Sequence, residues 1–86
     1  MRKDKNGKVV NKDDFLIVDE QVALVCEYKY EDETKSTHYE IISFDKNENV
    51  VFQDHYNAWD YYNDNEIEVV TKEEAVQFYH SAKEQD

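Results

Sequence analysis

The chain has 86 residues and a formal net charge of −11, because 21 acidic side chains stand against 10 basic ones. This length allows a single domain, residues 1–86, since typical domains have ~100–150 residues. Disulfide scaffolds are excluded because Cys26 is the only cysteine. A membrane span is not expected, since the longest apolar run, residues 22–26, is far shorter than the ~20 residues that cross a bilayer.

The charge is unevenly distributed along the chain. Residues 1–12 hold five cations and one acid, and residues 13–86 hold five cations and twenty acids. We therefore predict a basic flexible arm or first turn over 1–12, dispensable for folding, and an acidic folded body over 13–86. A body this acidic is not expected to bind nucleic acid directly, and its crowded carboxylates are expected to have raised pKa values. No apolar signal region follows the first residues, so we expect a cytoplasmic protein.

A turn signal near the start of the chain recurs in the middle. Asp4-Lys5-Asn6-Gly7 matches Asp45-Lys46-Asn47-Glu48 in its first three residues, and two valines follow each copy at the same spacing. Asp, Asn and Gly favour tight turns because they hydrogen-bond their own backbone or tolerate positive φ. We predict that both copies are turns that precede a strand.

Several short apolar stretches indicate an antiparallel meander. In one of them Val22, Leu24 and Cys26 alternate with residues of the opposite face, which is the period of a strand. Short polar segments between the stretches are typical of hairpin turns. The predicted strands are Phe15–Val18, Val22–Tyr30, Thr37–Phe44 and Asn49–Gln53.

The last third of the chain combines an irregular segment with a clear helix signal. Residues 54–65 have no clean period, and Asn57 is expected to cap a short helix that ends near residue 63. A short strand, Glu66–Val70, precedes a capping box of Thr71 and Glu74. A helix is predicted over residues 72–83, with its apolar face at Ala75, Phe78, Tyr79 and Ala82. The fold class is then α+β, a small antiparallel sheet of three to five strands with one C-terminal helix packed on it.

Residue spacing indicates neither a metal site nor a cofactor. The segment from Asp45 begins like a calcium-binding loop but has Val50 where Gly is needed and Tyr56 where Glu is needed. Zinc-type spacings are also missing among the cysteine and the histidines, which are Cys26, His38, His55 and His80. Folding can still bring some of these residues together, but a cysteine is more often a small buried apolar residue than a ligand. We therefore expect no metal ligands and no cofactors.

Catalytic residues are not expected either. Phosphate-cradling loops and oxyanion holes are usually rich in glycine, and Gly7 is the only glycine. Cys26 lies between apolar residues of a predicted strand, an environment that does not activate a thiol. We interpret the chain as a binding protein and not an enzyme.

The segment from Asp54 to Glu68 is the predicted partner-binding surface. It is acidic, contains no Lys or Arg, and is rich in Tyr and Trp, which are enriched at binding hot spots. Its acidity favours a basic partner. The predicted contact residues are Asp54, Tyr56, Trp59, Asp60, Tyr61, Tyr62, Asp64, Glu66 and Glu68.

Carboxylates two residues apart on a strand provide a possible mimic of nucleic acid. On one strand face such residues stand roughly 6.6 Å apart, a spacing that resembles successive phosphates of a nucleic-acid strand. Glu66 and Glu68 have this relation in the sequence, and so do Glu31 and Glu33 if their strand extends that far.

The composition suggests a functional class, although no motif identifies a family. The small, acidic, Pro-free chain, rich in Lys, Asn, Asp and Glu, resembles the inhibitors that phages and mobile elements make against host nucleases, such as anti-CRISPR and anti-restriction proteins. This resemblance implies a protein of the host cytoplasm that occupies the positively charged nucleic-acid groove of an enzyme and excludes its substrate. The alternatives are an immunity protein or antitoxin against a basic toxin, and a non-inhibitory accessory domain of a larger assembly. The basic arm favours the accessory domain, because a mimic has no evident use for five cations.

Overall fold

A computed structural model describes residues 2–29, 31–33, 35–57 and 63–84 of the chain. These residues form five strands, a 3-10 helix at Asp64–Glu66 and one α-helix, which confirms the predicted α+β class. The strands are β1 (Phe15–Val18), β2 (Gln21–Lys29), β3 (Lys35–Phe44), β4 (Val50–Asn57) and β5 (Ile67–Val70), and the helix is α1 (Lys72–Glu84).

The strands form one antiparallel sheet in the order β4-β3-β2-β1-β5. The three strands β2, β3 and β4 make the predicted meander, because each follows its neighbour through a short connection. Strand β1 lies inside the sheet, with Phe15 opposite Leu24 of β2 on one side and opposite Val70 of β5 on the other. The two edge strands are therefore β4 and β5.

Both faces of the sheet carry apolar clusters. On one face α1 covers a cluster that includes Val22, Ile42 and Phe44, and the rings of Phe44 and Tyr79 meet edge-on at 5.8 Å between centroids. The opposite face is fully or almost fully buried at Leu16, Val18, Ala23, Val25, Tyr39, Ile41 and Ile67, and Val10 from the N-terminal segment joins this cluster. The sheet thus separates two small cores, as the period of two in its strands requires.

Helix α1 begins at the predicted capping box. The Glu74 N–H donates to Thr71 Oγ1 at 3.1 Å, and the Thr71 N–H donates to the Glu74 carboxylate at 3.0 Å. Ala75 is fully buried against the sheet, whereas Ala82, predicted on the same face, is exposed. The helix therefore packs most closely through its N-terminal half.

The two Asp-Lys-Asn segments form the same turn. In each, the aspartate carboxylate accepts from the N–H groups two and four residues later: Asn6 and Lys8 for Asp4, and Asn47 and Asn49 for Asp45. The fourth position has positive φ in both, at Gly7 and at Glu48. The repeated signal therefore encodes a repeated turn geometry, as the sequence predicts.

The first residues of the chain form a turn that lies against the edge of β5. Lys3 pairs with Val9, the Lys5 N–H donates to the Ile67 carbonyl at 2.9 Å, and the Val69 N–H donates to the Asp4 carboxylate at 2.8 Å. These bonds satisfy edge groups of β5 that would otherwise face solvent. Of the two alternatives for residues 1–12, a flexible arm or a first turn, residues 2–10 have the turn.

The irregular segment differs from the prediction at its start. Strand β4 continues to Asn57, which pairs with Tyr39, four residues beyond the predicted end of this strand. The short helix predicted after Asn57 lies outside the described residues. The register of β4 against β3 shifts between Glu40 and Ile42. A bulge of this kind interrupts the alternation of faces, which explains why the sequence lost its strand period at this point.

Candidate functional site

The predicted binding residues are divided between the two edges of the sheet. Asp54 and Tyr56 belong to edge strand β4, and Glu68 belongs to the opposite edge strand β5. Asp64 and Glu66 lie in the 3-10 helix immediately before β5. The remaining predicted contacts lie outside the described residues: Trp59, Asp60, Tyr61 and Tyr62.

Two acids of the predicted site lie close to cations of the N-terminal turn. Arg2 Nε donates to Asp64 Oδ1 at 2.7 Å, and Arg2 is largely buried at this contact. Lys5 Nζ lies 3.9 Å from Glu68 Oε1 in a more exposed position. The acidic segment is therefore partly compensated near β5 by residues that are distant in the sequence.

The predicted phosphate-like pairs of carboxylates are not formed. Glu66 belongs to the 3-10 helix, where its carboxylate accepts from the Asn63 N–H at 2.7 Å, so it does not share a strand face with Glu68. Strand β2 ends at Lys29, and Glu33 has a φ of 68°, so Glu31 and Glu33 are turn residues. The expectation for Glu66 and Glu68 is wrong because a local capping bond places Glu66 in the 3-10 helix. The condition set for Glu31 and Glu33, a strand that extends to them, is not met.

Edge strand β4 also carries exposed apolar side chains that the sequence analysis did not assign to the site. Val51 and Phe52 are 42% and 51% exposed. The sequence pattern does not mark them as exposed, because a period of two does not distinguish an edge strand from a central one. In the described part of the chain β4 pairs only with β3, so its other edge is a place where a partner strand or side chain can bind.

A second cluster lies on neighbouring strands of the face that carries α1. Cys26 of β2 stands directly opposite His38 of β3, and Glu40 follows two residues later on the same face. One potential ligand atom from each residue lies within 4.8 Å of the others, and the Cys26 thiol donates to Glu40 Oε2 at 3.4 Å. All three residues are partly buried.

The Cys26 thiol is held in its protonated form. Burial, the hydrogen bond to Glu40 and the negative charge of Glu40 together raise the pKa of Cys26 to about 11. A nucleophilic cysteine needs the opposite environment, in which a nearby cation lowers the pKa. The Cys26 environment therefore does not favour a catalytic nucleophile.

The comparisons with known proteins identify no relative, so a function can be argued only from the residues of this chain. The chain matches no protein-family model, no curated protein and no solved structure. Among the described residues, no helix is long and apolar enough to cross a membrane.

Proposed function

We propose that this protein is a small acidic inhibitor that occupies the positively charged nucleic-acid groove of an enzyme, in the manner of anti-CRISPR and anti-restriction proteins. The observation that carries the proposal is the charge of the chain: −11 overall, with no Lys or Arg from residue 47 to residue 71. A field of this strength attracts basic surfaces and speeds their association. The proposed place of action is the cytoplasm, where such enzymes meet nucleic acid.

The N-terminal turn bears on the choice between this function and an accessory domain. From the sequence, the five cations of residues 1–12 have no evident role in a nucleic-acid mimic. Arg2 and Lys5 now lie within ion-pair distance of Asp64 and Glu68 in the same chain. Two of the five cations thus have an internal partner, which removes one reason to prefer the accessory domain.

The proposed contact surface contains strand β4 and the segment that follows it. Asp54 and Tyr56 belong to this edge strand, which also carries the exposed side chains of Val51 and Phe52. Apolar anchors beside acidic groups are typical of a surface that docks on a basic groove with some hydrophobic contact. The proposed contacts from the following segment are Trp59, Asp60, Tyr61, Tyr62, Asp64, Glu66 and Glu68.

A charge-reversal comparison tests this surface. The test pair is Asp54→Lys with Asp60→Lys, because reversal of Asp64 would also break its ion pair with Arg2. The matched control is Glu31→Lys with Glu73→Lys, two exposed acids outside the proposed surface that change the net charge by the same amount. Partners are captured from a bacterial lysate at low salt and at ~0.5 M salt, where the Debye length is only a few Å.

The proposal predicts a nucleic-acid enzyme that salt releases and that the chain inhibits in competition with substrate. The test pair should weaken binding to that enzyme by ~1.5–4 kcal/mol, the range for a few close charge contacts. The control pair should have a much smaller effect. Equal losses of binding free energy in the test pair and the control pair would mean that the charge of the whole protein drives binding, and the proposed contact surface would be wrong. A captured enzyme whose activity is unchanged by the chain would remove the inhibitory function.

A further inference from the structure

We propose that Cys26, His38 and Glu40 form a binding site for a divalent transition-metal ion of the zinc class. The three residues converge because of the pairing of β2 and β3, which places Cys26 opposite His38 and leaves Glu40 on the same face. The site lies apart from most of the proposed contact surface, although Glu40 is the register partner of Tyr56 on β4. It does not depend on the inhibitory function.

The distances are compatible with coordination after a small side-chain adjustment. Around a tetrahedral zinc ion the ligand atoms lie ~2.0–2.3 Å from the metal and therefore about 3.3–3.8 Å from one another. Sulfur and carboxylate oxygen are already 3.4 Å apart between Cys26 and Glu40, and all three ligand atoms lie within 4.8 Å. We expect rotation of the side chains to close the remaining gap, because the three residues are already fixed close together by the pairing of β2 and β3.

The ligand set selects the class of metal. Thiolate and imidazole favour zinc and its transition-metal neighbours, whereas magnesium and calcium prefer oxygen ligands alone. Three protein ligands leave a fourth tetrahedral position for water, and the partial burial of all three residues leaves a route for the ion to enter. The negative charge of the chain adds a general attraction for cations.

Metal binding exchanges the thiol proton for a metal bond. The Cys26 S–H bond breaks, its electron pair forms the bond from sulfur to the metal, and the proton leaves to water. The thiol hydrogen bond to Glu40 is lost in the same step, and the carboxylate turns to the ion. The step needs no oxidant or reductant, because the metal keeps its charge.

Cobalt substitution and thiol protection test the site in the untagged, full-length, reduced protein. Co²⁺ should bind with one equivalent per chain and produce a thiolate-to-cobalt absorption band that Zn²⁺ abolishes by displacement. Zn²⁺ should also slow alkylation of Cys26 by about tenfold or more, because the metal-bound sulfur is less available as a nucleophile. Mg²⁺ at the same concentration should do neither.

Four substitutions separate the site from other causes of metal binding. Cys26→Ser should abolish the cobalt band, and His38→Gln and Glu40→Gln should each weaken Co²⁺ affinity at least tenfold. The control is His80→Gln, which changes an exposed histidine of α1 and should leave affinity unchanged. If Cys26→Ser does not fold, alkylation of the wild type and of Glu40→Gln gives the same answer.

Three results would overturn the proposal. One is the absence of a thiolate band at millimolar Co²⁺. Another is equal protection of Cys26 by Mg²⁺ and Zn²⁺, which would mean general attraction to an acidic protein. The third is an unchanged affinity in both His38→Gln and Glu40→Gln.

Discussion

At the scale of single residues, Asp4 is the buried charged side chain of the described part of the chain. It is only 5% exposed, and its carboxylate accepts N–H groups from Asn6, Lys8 and Val69. One oxygen organises the N-terminal turn and the other holds that turn to β5. The residue thus joins a local motif to the edge of the sheet.

Replacement of Asp4 by Asn should lower the free energy of unfolding by about 2–3 kcal/mol. The amide oxygen can still accept from Asn6 and Lys8, but the amide nitrogen would then face the Val69 N–H, so two donors would meet without an acceptor. Asp45→Asn is the matched control, because the second oxygen of Asp45 accepts from the side chain of nearby Asn49 and not from another strand within the described ranges. It should cost below about 1 kcal/mol in urea unfolding. Equal costs would mean that the bond to β5 contributes little.

The pH dependence of stability provides a second test of Asp4. Burial raises its pKa, but the N–H donors of Val69, Lys8 and Asn6 lower it more, so the folded pKa lies below the ordinary value of 3.8. The ionised carboxylate therefore stabilises the fold above about pH 4, and this contribution is lost as the pH falls through the folded pKa. The stability difference between wild type and Asp4→Asn should shrink as urea unfolding is repeated from pH 7 to pH 2.5. A constant difference would contradict the assignment.

The direction of these shifts corrects the expectation of raised carboxylate pKa values. Asp45 and Glu74 also have pKa values below their ordinary range, chiefly because backbone N–H groups of Asn49 and Thr71 donate to them. A hydrogen bond at contact distance outweighs like charges that water screens over several Å. The expectation from composition, that crowded carboxylates have raised pKa values, is therefore wrong for the three acids with clear shifts: Asp4, Asp45 and Glu74.

At the scale of elements, the β1–β2 hairpin has an unfavourable turn sequence. Val18 pairs with Gln21, so the turn contains only Asp19 and Glu20, with φ of 51° and 61°. Positive φ at both positions matches a type I′ turn, for which Asn-Gly is strongly preferred. The hairpin is kept in this shape by burial of its strands, since Leu16 and Val18 are almost completely inaccessible.

A better turn sequence should therefore stabilise the protein. Asp19→Asn combined with Glu20→Gly should raise the free energy of unfolding by about 0.5–1 kcal/mol, because relief of positive-φ strain exceeds the entropy cost of glycine. The control combines Asp19→Asn with Glu20→Gln, which changes the charge equally but leaves a side chain at the second position. Thermal and urea unfolding of both variants would measure the difference. A control as stable as the glycine variant would show that the gain came from reduced charge repulsion.

At this scale, elements held by short-range interactions are predictable from the sequence, and those set by strand pairing are not. The capping box at Thr71 and the two aspartate turns are local, and their hydrogen bonds were predictable from residues four positions apart or fewer. The register shift between Glu40 and Ile42 was not predictable in this way, because it depends on how β3 and β4 pair. Local hydrogen bonds determine where the turns and the helix begin, and the pairing of neighbouring strands determines how long each strand is.

The Cys26 cluster was missed for a related reason. A hairpin turn at residues 32–35 would place Cys26 opposite Ile41, but the observed register places it opposite His38. This shift in register changes which side chain meets the thiol. Metal spacing rules apply to ligands on one short segment, so they did not detect ligands brought together by two strands.

At the scale of the whole molecule, the sheet brings segments from the beginning of the chain together with β5, which lies late in the sequence. Strand β5, late in the sequence, pairs with β1, and the N-terminal turn pairs with β5 in turn. No local sequence pattern indicates these contacts between distant segments. They form because unpaired backbone N–H and C=O groups at the edges of β1 and β5 are satisfied by hydrogen bonds to another segment. Within the predicted basic segment, residues 2–10 form a turn that contacts β5.

The contacts of the N-terminal turn give a reason to expect that the first residues stabilise the fold, whereas the sequence predicts that they are dispensable. Deletion of residues 1–8 should lower the free energy of unfolding by about 2–4 kcal/mol, because it removes the hydrogen bonds of Asp4 and Lys5 to β5. It also removes the Arg2 carbonyl that accepts from the N–H of buried Val10. Urea unfolding of the truncated and full chains, monitored by circular dichroism, gives the difference. Removal of so many cations also makes the chain more acidic, so charge alone is one possible cause of a loss.

Substitution of the paired cations alone distinguishes charge from packing. Arg2→Gln with Lys5→Gln removes both ion pairs and keeps the backbone bond from Lys5 to Ile67 and the bonds of Asp4. Exposed ion pairs contribute ~0–1 kcal/mol each, and Arg2 is the more buried of the two cations, so the double variant should lose about 1–1.5 kcal/mol. That loss should be smaller still in ~0.3 M NaCl, whereas the loss from truncation should persist because salt does not screen buried hydrogen bonds and apolar contacts. A double variant as unstable as the truncated chain, and restored by salt, would instead mean that electrostatic attraction between a basic segment and an acidic body holds the turn in place.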